Sequence, residues 1–225
     1  MMNLIKDIRF SSKQPDPILD QFYIHGMKDI IQRLLFLLRH EGFSFGSFDH
    51  LYMNYTSSLP HGQVQRSGNP VSGEFSWLQY ADAGCDLALF HAMPKAEQRQ
   101  FLAQSIRQAV WAYADQENRA IFDRCYARVM ALGPDLEIPY KEKAGAHLRI
   151  AISTTIGDDV QFQPIIRIYD RLDTLLLEER LKRCSKEAFL AQFGTISLGK
   201  RSVRIDPRKS WHLQGQKVSQ LKFSV

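Results

Sequence analysis

The segment PKAEQRQFLAQSIRQAVWAYADQENRAIFDRCYARVMAL, Pro94–Leu132, is the longest stretch of the chain without an internal proline or glycine. Leu102, Ile106, Ala109 and Tyr113 recur at helical spacing, and so do Ile121, Phe122, Cys125, Val129 and Leu132. Pro94 stands where a first helical position tolerates proline, and Gly133-Pro134 stops the pattern. Asp115-Gln116-Glu117-Asn118 predicts a kink or a split into a hairpin. The segment reads as scaffold, a long central helix or helical hairpin whose apolar faces cover sheet. Arg99, Gln104, Arg107, Gln108 and Arg119 are expected on its solvated face.

On the N-terminal side, Leu4 to Phe10 reads as a strand. Met27, Ile30, Ile31, Leu34, Leu35 and Leu38 then mark an amphipathic helix from Met27 to Glu41, with Gly42 placed to end it. Phe48 to Thr56 and Ser76 to Ala83 read as strands. Leu59 to Phe75 between them, with Pro60, Gly62, Gly68, Pro70 and Gly73, reads as a long loop. Gly84 to Met93 reads as a turn with a short helical piece.

On the C-terminal side the period turns strand-like: Leu136 to Lys143, Ala146 to Ile156 and Val160 to Tyr169, with Leu148, Ile150 and Ile152 on one face. Thr174 to Arg183 reads as a further strand and Ser185 as the cap of a short helix through Phe193. Thr195 to Leu198 and Arg201 to Asp206 form a hairpin, and Val218 to Val225 a last strand. The expected fold class is α+β: antiparallel sheets with an N-terminal helix and the central helices packed on them. One domain spanning 1–225 is expected, with parts at 1–93, 94–132 and 133–225.

With 225 residues, 44% of them hydrophobic and 24% charged, the chain can bury a core without metal or disulfide support. Cys85, Cys125 and Cys184 form no CxxC pair, which argues against structural zinc and for a reducing compartment. Early charge at Lys6 and Asp7 and the absence of a long apolar run point to a cytoplasmic protein with no membrane partner. The net charge of +5 is uneven: residues 200–225 hold seven Lys and Arg against one acid, leaving −1 for the remainder.

No Walker A loop, GxGxxG, HExxH or G-x-S-x-G is present, and no cofactor or metal is expected. Asp82, Cys85, Asp86 and His91 are the densest polar cluster, read either as a metal or nucleophile site, with Asp82, Asp86 and His91 serving a hydrolase, or as a capped turn. Asp49-His50 with His61 could form an acid/base pair or lie on a sheet surface. Arg201, Arg204, Arg208, Lys209 and Trp211, with His212, form the candidate nucleic-acid surface, with a charged protective edge as the plainer reading. His61, Gln63, Arg66, Phe75 and Trp77 form the candidate protein-binding surface, mixing polar and bulky aromatic residues as interfaces do, with a mobile surface loop as the alternative reading.

The element order, with Phe48-Asp49-His50-Leu51-Tyr52-Met53-Asn54-Tyr55-Thr56, Tyr80 to Phe90 and Tyr140-Lys141-Glu142-Lys143, resembles bacterial α+β immunity proteins of polymorphic toxin systems. The resemblance implies a non-enzymatic protein that binds and blocks a cognate toxin by direct contact. Immunity proteins that cover basic nucleases tend to be acidic. A chain basic at its tail therefore implies a non-nuclease target.

Overall fold

The computed structural model describes residues 3–12, 26–68, 73–209 and 218–225. The fold is α+β, and the chain divides into two compact units, Met1–Ala131 and Leu132–Val225. The break comes at the end of the central helical segment.

The first unit is built on a four-stranded sheet of β1 (Asp7–Ser12), β2 (His50–Thr56), β3 (Val64–Arg66) and β4 (Leu78–Gly84), in the order β1-β2-β4-β3. Helix α1 (Lys28–His40) joins β1 to β2, and those strands run parallel. β2 and β4 are also parallel, so β4 does not return against its neighbour as a hairpin strand would. Only β3 runs antiparallel, against the second half of β4. β3 lies inside the stretch expected to be loop, and a 3-10 turn at Gly73–Phe75 follows it. Three residues with an intermediate-to-exposed pattern give too short a period to stand out in sequence.

Ile8, Phe10, Leu51, Met53, Tyr55, Ala81 and Ala83 make the dry face of this sheet. α1 contributes Leu34 to Leu38 without a break, all buried, because Phe36 and Leu37 widen the stripe. Gly42 follows with φ +77°, as its position required. The helix carries a buried ion pair, Arg33 Nη1 to Asp29 Oδ2 at 3.0 Å, and Arg99 Nη2 joins it at 3.1 Å. Arg99 is therefore partner to a buried carboxylate and only partly solvated, contrary to its expected place on the outer face.

The central segment is two helices. After α2 (Leu87–Ala92), Pro94 takes the N-cap of α3 (Lys95–Tyr113), one position earlier than expected. Ala114 is extended and Asp115 caps α4 (Gln116–Leu132), its Oδ1 accepting from the Asn118 N–H at 2.8 Å. The helices fold back on each other. Arg107 pairs with Asp123 at 2.9 Å, and Trp111 Nε1 donates to the same carboxylate at 3.2 Å.

The second unit has two antiparallel sheets. One is a meander of β5 (Ile138–Ala144), β6 (Leu148–Ile156), β7 (Phe162–Asp170) and β8 (Leu175–Arg180). The other is β9 (Thr195–Leu198), β10 (Ser202–Asp206) and β11 (Leu221–Ser224), in the order β11-β10-β9. Helix α5 (Lys186–Gln192) stands between them in the chain, capped by Ser185. Leu148, Ile150, Ile152 and Ile156 face inward against Phe162, Ile166 and Ile168. Phe189 and Phe193 add an aromatic cluster with Tyr140. The basic tail is thus part of a sheet, with Ile196, Val203, Ile205 and Phe223 buried on its inner face.

Candidate functional site

The second unit holds sixteen Lys and Arg against eleven Asp and Glu, and the first holds thirteen of each. The whole net charge of +5 therefore belongs to the second unit. Five of its eight arginines face carboxylates: Arg149 with Glu142 and Asp173, Arg167 with Glu137 and Glu178, Arg180 with Glu178, Arg183 with Asp159, and Arg204 with Asp206. Lys141, Arg204, Arg208 and Lys209 gather at one place.

A β-bulge creates that place. In β5 the register against β6 shifts between Pro139 and Lys141, so Tyr140 is the extra residue. Straight alternation from buried Ile138 would turn Tyr140 and Glu142 inward. The bulge instead sets Lys141 opposite Ile152 and Lys143 opposite Ile150, on the inward row. Because β5 is an edge strand, both side chains reach past the edge. Lys141 donates to the Gly194 carbonyl, and Lys143 Nζ donates to the Ile196 carbonyl at 2.6 Å. The two ammonium groups satisfy carbonyls along the free edge of β9.

Arg208 is fixed beside them. Its Nε donates to the Phe193 carbonyl at 3.3 Å and its Nη2 to Tyr140 Oη at 2.6 Å, while its backbone N–H donates to the Ala191 carbonyl at 2.8 Å. Tyr140 is held in turn by Phe189, with ring centroids 4.7 Å apart. A cleft of about 910 Å³ opens here, and Lys141, Arg204, Asp206, Arg208 and Lys209 are among the residues lining it. Gly194 forms its wall, where a Cβ would sit 2.5 Å from the Asp206 carbonyl oxygen.

Burial pushes the Lys141 ammonium below the usual lysine value, and the charges of Arg208 and Lys143 push in the same direction. Asp206, the acid in the lining, is engaged by Arg204 Nε at 3.2 Å and by the Gln220 amide. Among the described residues, Lys141, Arg208 and Lys209 have no carboxylate partner. Such an arrangement favours an anion, because Lys141 is already partly desolvated and Arg208 already oriented before the ligand arrives.

Of the residues expected to bind nucleic acid, Arg204, Arg208 and Lys209 come together in this cleft. Arg201 is exposed at the β9–β10 turn, and Trp211 and His212 lie outside the described residues. Sequence reasoning missed Lys141, because nothing in Tyr140-Lys141-Glu142-Lys143 announces the bulge.

The five residues expected to bind a protein are spread along the first unit. His61 stacks on Phe101 at 4.5 Å, and its Nδ1 accepts the Asp86 N–H at 3.1 Å beyond the end of β4. Gln63 is exposed, its carbonyl accepting from the Gly84 N–H. Arg66 donates to the Ala112 carbonyl and lies over the Tyr113 ring. Phe75 and Trp77, 48% and 39% exposed, lie before the other end of β4. A seven-residue strand, roughly 20 Å of extended chain, separates the two groups.

His50 Nδ1 meets Asp49, but the other partner of that carboxylate is Lys6 at 2.6 Å. Burial pushes the Asp49 carboxyl up, and the hydrogen bonds from Lys6 and His50 outweigh it and hold it below the usual range. His61 has no part in this pair.

Asp82, Asp86 and His91 are engaged separately. Asp82 accepts from Asn54 and Ser67, Asp86 caps α2 through the Leu89 N–H, and His91 is exposed in the last turn of α2. A smaller cleft at the carboxyl ends of β2 and β4 includes Ser57, His61, Cys85 and Asp86 in its lining. Among the described residues, no group of three or more His, Cys, Asp or Glu could hold a metal ion, and no helix is long and apolar enough to cross a membrane. No family model, curated protein or solved structure matches the chain.

Proposed function

We propose that the chain is a non-enzymatic binding protein whose second unit holds the phosphate backbone of a nucleic acid in the cleft of Lys141, Arg204, Arg208 and Lys209. The observation that carries this reading is convergence. A bulged edge strand and the end of β10, more than sixty residues apart in sequence, bring these cations together, and three lack a carboxylate partner among the described residues. Phosphate contacts of this kind give affinity without reading sequence.

Removing residues 200–225 would be a poor test, because it deletes two strands of a sheet. Point substitution at exposed Lys209 is cleaner. Fluorescence anisotropy with a labelled oligonucleotide should show binding that weakens steeply with salt, and Lys209→Ala should lower affinity and flatten the salt slope. Binding indifferent to salt and to Lys209 would overturn the proposal.

A second reading, direct contact with a protein partner such as a toxin, is favoured by Phe75 and Trp77. They are exposed large aromatics packed edge-on at 6.0 Å, the residue type that anchors interfaces. A partner retained by the wild-type chain and lost with Trp77→Ser, while oligonucleotide binding is unchanged, would support it. Retention by both chains would count against it.

A further inference from the structure

The cations of the cleft that lack a carboxylate partner converge on one point. Lys141 donates to the Gly194 carbonyl, and Arg208 Nε donates to the carbonyl of the residue before it, Phe193. Side chains from two distant parts of the chain thus meet neighbouring peptide units, close enough for the Arg208 charge to bear on Lys141. Lys209 follows Arg208 in the chain and is exposed. With Tyr140 Oη as a further acceptor, these contacts spend one of the three N–H donors of Lys141 and two of the five of Arg208. The rest remain for a ligand.

Arg204 stands apart from that point. Its Nε meets Asp206 Oδ2 at 3.2 Å, and the Gln220 amide donates to Asp206 Oδ1. Arg204 and Asp206 are two residues apart on β10, so their side chains share the outward face. Asp206 comes between Arg204 and Arg208 in the chain and lines the cleft with both.

We propose that the phosphate taken by the cleft is the terminal phosphomonoester of a nucleic acid chain. The proposal rests on the basic cleft being the ligand site and adds which phosphate it selects. Two observations support it.

The first is the gathering of charge. A terminal monoester offers three acceptor oxygens and, above its second pKa of about 6, close to two negative charges. An internal phosphodiester offers a single charge. Lys141, Arg208 and Lys209, unpaired and at one point, match the monoester. The second is the acid beside them. A chain with one phosphate on these cations would bring its next phosphate, on the β10 side, against the Asp206 carboxylate, which has the same sign of charge and no hydrogen to donate. Arg204 is tied to that acid and adds no net charge to offset it. Continuation on that side is disfavoured, so the chain leaves the cleft in one direction, as it does from an end.

Anisotropy with the full chain and a thymidine dodecamer labelled on an internal base tests this. The dodecamer is used with a phosphate at its 5′ end, with a phosphate at its 3′ end, and with hydroxyls at both. One phosphorylated form should bind about tenfold more tightly than the hydroxyl form, the effect of one further charge-assisted hydrogen bond. That preference should fade as pH falls through about 6, where the monoester loses its second charge, and the hydroxyl form should show no step there. Lys209→Ala should weaken the phosphorylated form and narrow the preference. Asp206→Asn, which removes the acid and keeps its shape, should strengthen the hydroxyl form and narrow the preference from the other side. Unchanged thermal melts would show that both variants fold.

If all three forms bind alike and Lys209→Ala weakens each, the end assignment is wrong and the cleft stands. If Lys209→Ala weakens none of them, the cleft falls as well. Release of the phosphorylated form by an equal concentration of inorganic phosphate would also overturn the end assignment, because the cleft would then take free phosphate.

Discussion

Lys141, on the edge strand of the meander, donates its ammonium to the backbone carbonyl of Gly194, at the entry to the three-stranded sheet. With the parallel contact from Lys143 to Ile196, this joins two sheet edges by side chains where no strand pairing exists. It also places one positive charge at the floor of the cleft, and four predictions follow from it and from the other buried charges.

Gly194 is needed for close approach. A Cβ there would lie 2.5 Å from the Asp206 oxygen and 2.7 Å from the Arg208 nitrogen, both backbone atoms that cannot swing aside. Gly194→Ala should destabilise the protein by about 1–3 kcal/mol, the usual cost of forcing atoms into a packed site. It should also weaken oligonucleotide binding by displacing Arg208. Urea denaturation and anisotropy on the same sample check both.

The lowered pKa of Lys141 has a sign that can be read in binding. Phosphate in the cleft favours the charged ammonium and raises the pKa again. Binding therefore takes up protons between the lowered free value and the raised bound one. Affinity should be flat below that window and fall as pH rises through it towards 10.5. Stability moves the other way, since the unfolded chain binds more protons in the window and folding becomes more favourable as pH rises. Lys141→Arg should keep affinity high across the window in a pH-resolved titration.

Glu137 is held below its ordinary value by hydrogen bonds from Arg167, against an opposing push from burial and with help from Ser153. Its contribution to stability is complete above 4.5 and is lost as pH falls through the lowered folded value. Glu137→Gln should be less stable than wild type at neutral pH, with the difference shrinking below pH 4.5 in chemical denaturation.

Asp29 is 3% exposed, between Arg33 and Arg99. Asp29→Ala leaves the buried Arg33 guanidinium without its carboxylate and should cost about 3–5 kcal/mol. Asp29→Ala with Arg33→Met should recover part of that loss, because the buried guanidinium that faced the carboxylate at 3.0 Å is then gone. A double-mutant cycle by urea denaturation measures both.

Local chemistry made several elements legible in the sequence. The stripe in α1, Gly42 after it, Asp86 and Ser185 as caps, and the alternation of Leu148, Ile150 and Ile152 all act within a few residues. β3 escaped because three residues carry no period. The parallel pairing of β2 with β4 escaped because strand direction is settled by how the connection travels, which no strand residue encodes.

The candidate site divides in the same way. The sequence by itself determined that positive charge concentrates near the C-terminus, and that Arg204, Arg208 and Lys209 belong to that concentration. It also determined the alternation that buries Val203 and Ile205 and leaves Ser202 and Arg204 outside. Only the tertiary structure decided that Lys141 joins them. One extra residue at Tyr140 turns two lysines to the inward row, and the edge position of β5 lets them reach β9. The physical reason is range: side-chain alternation is set by the next residue, while a bulge and a sheet edge are set by partners far away in the chain.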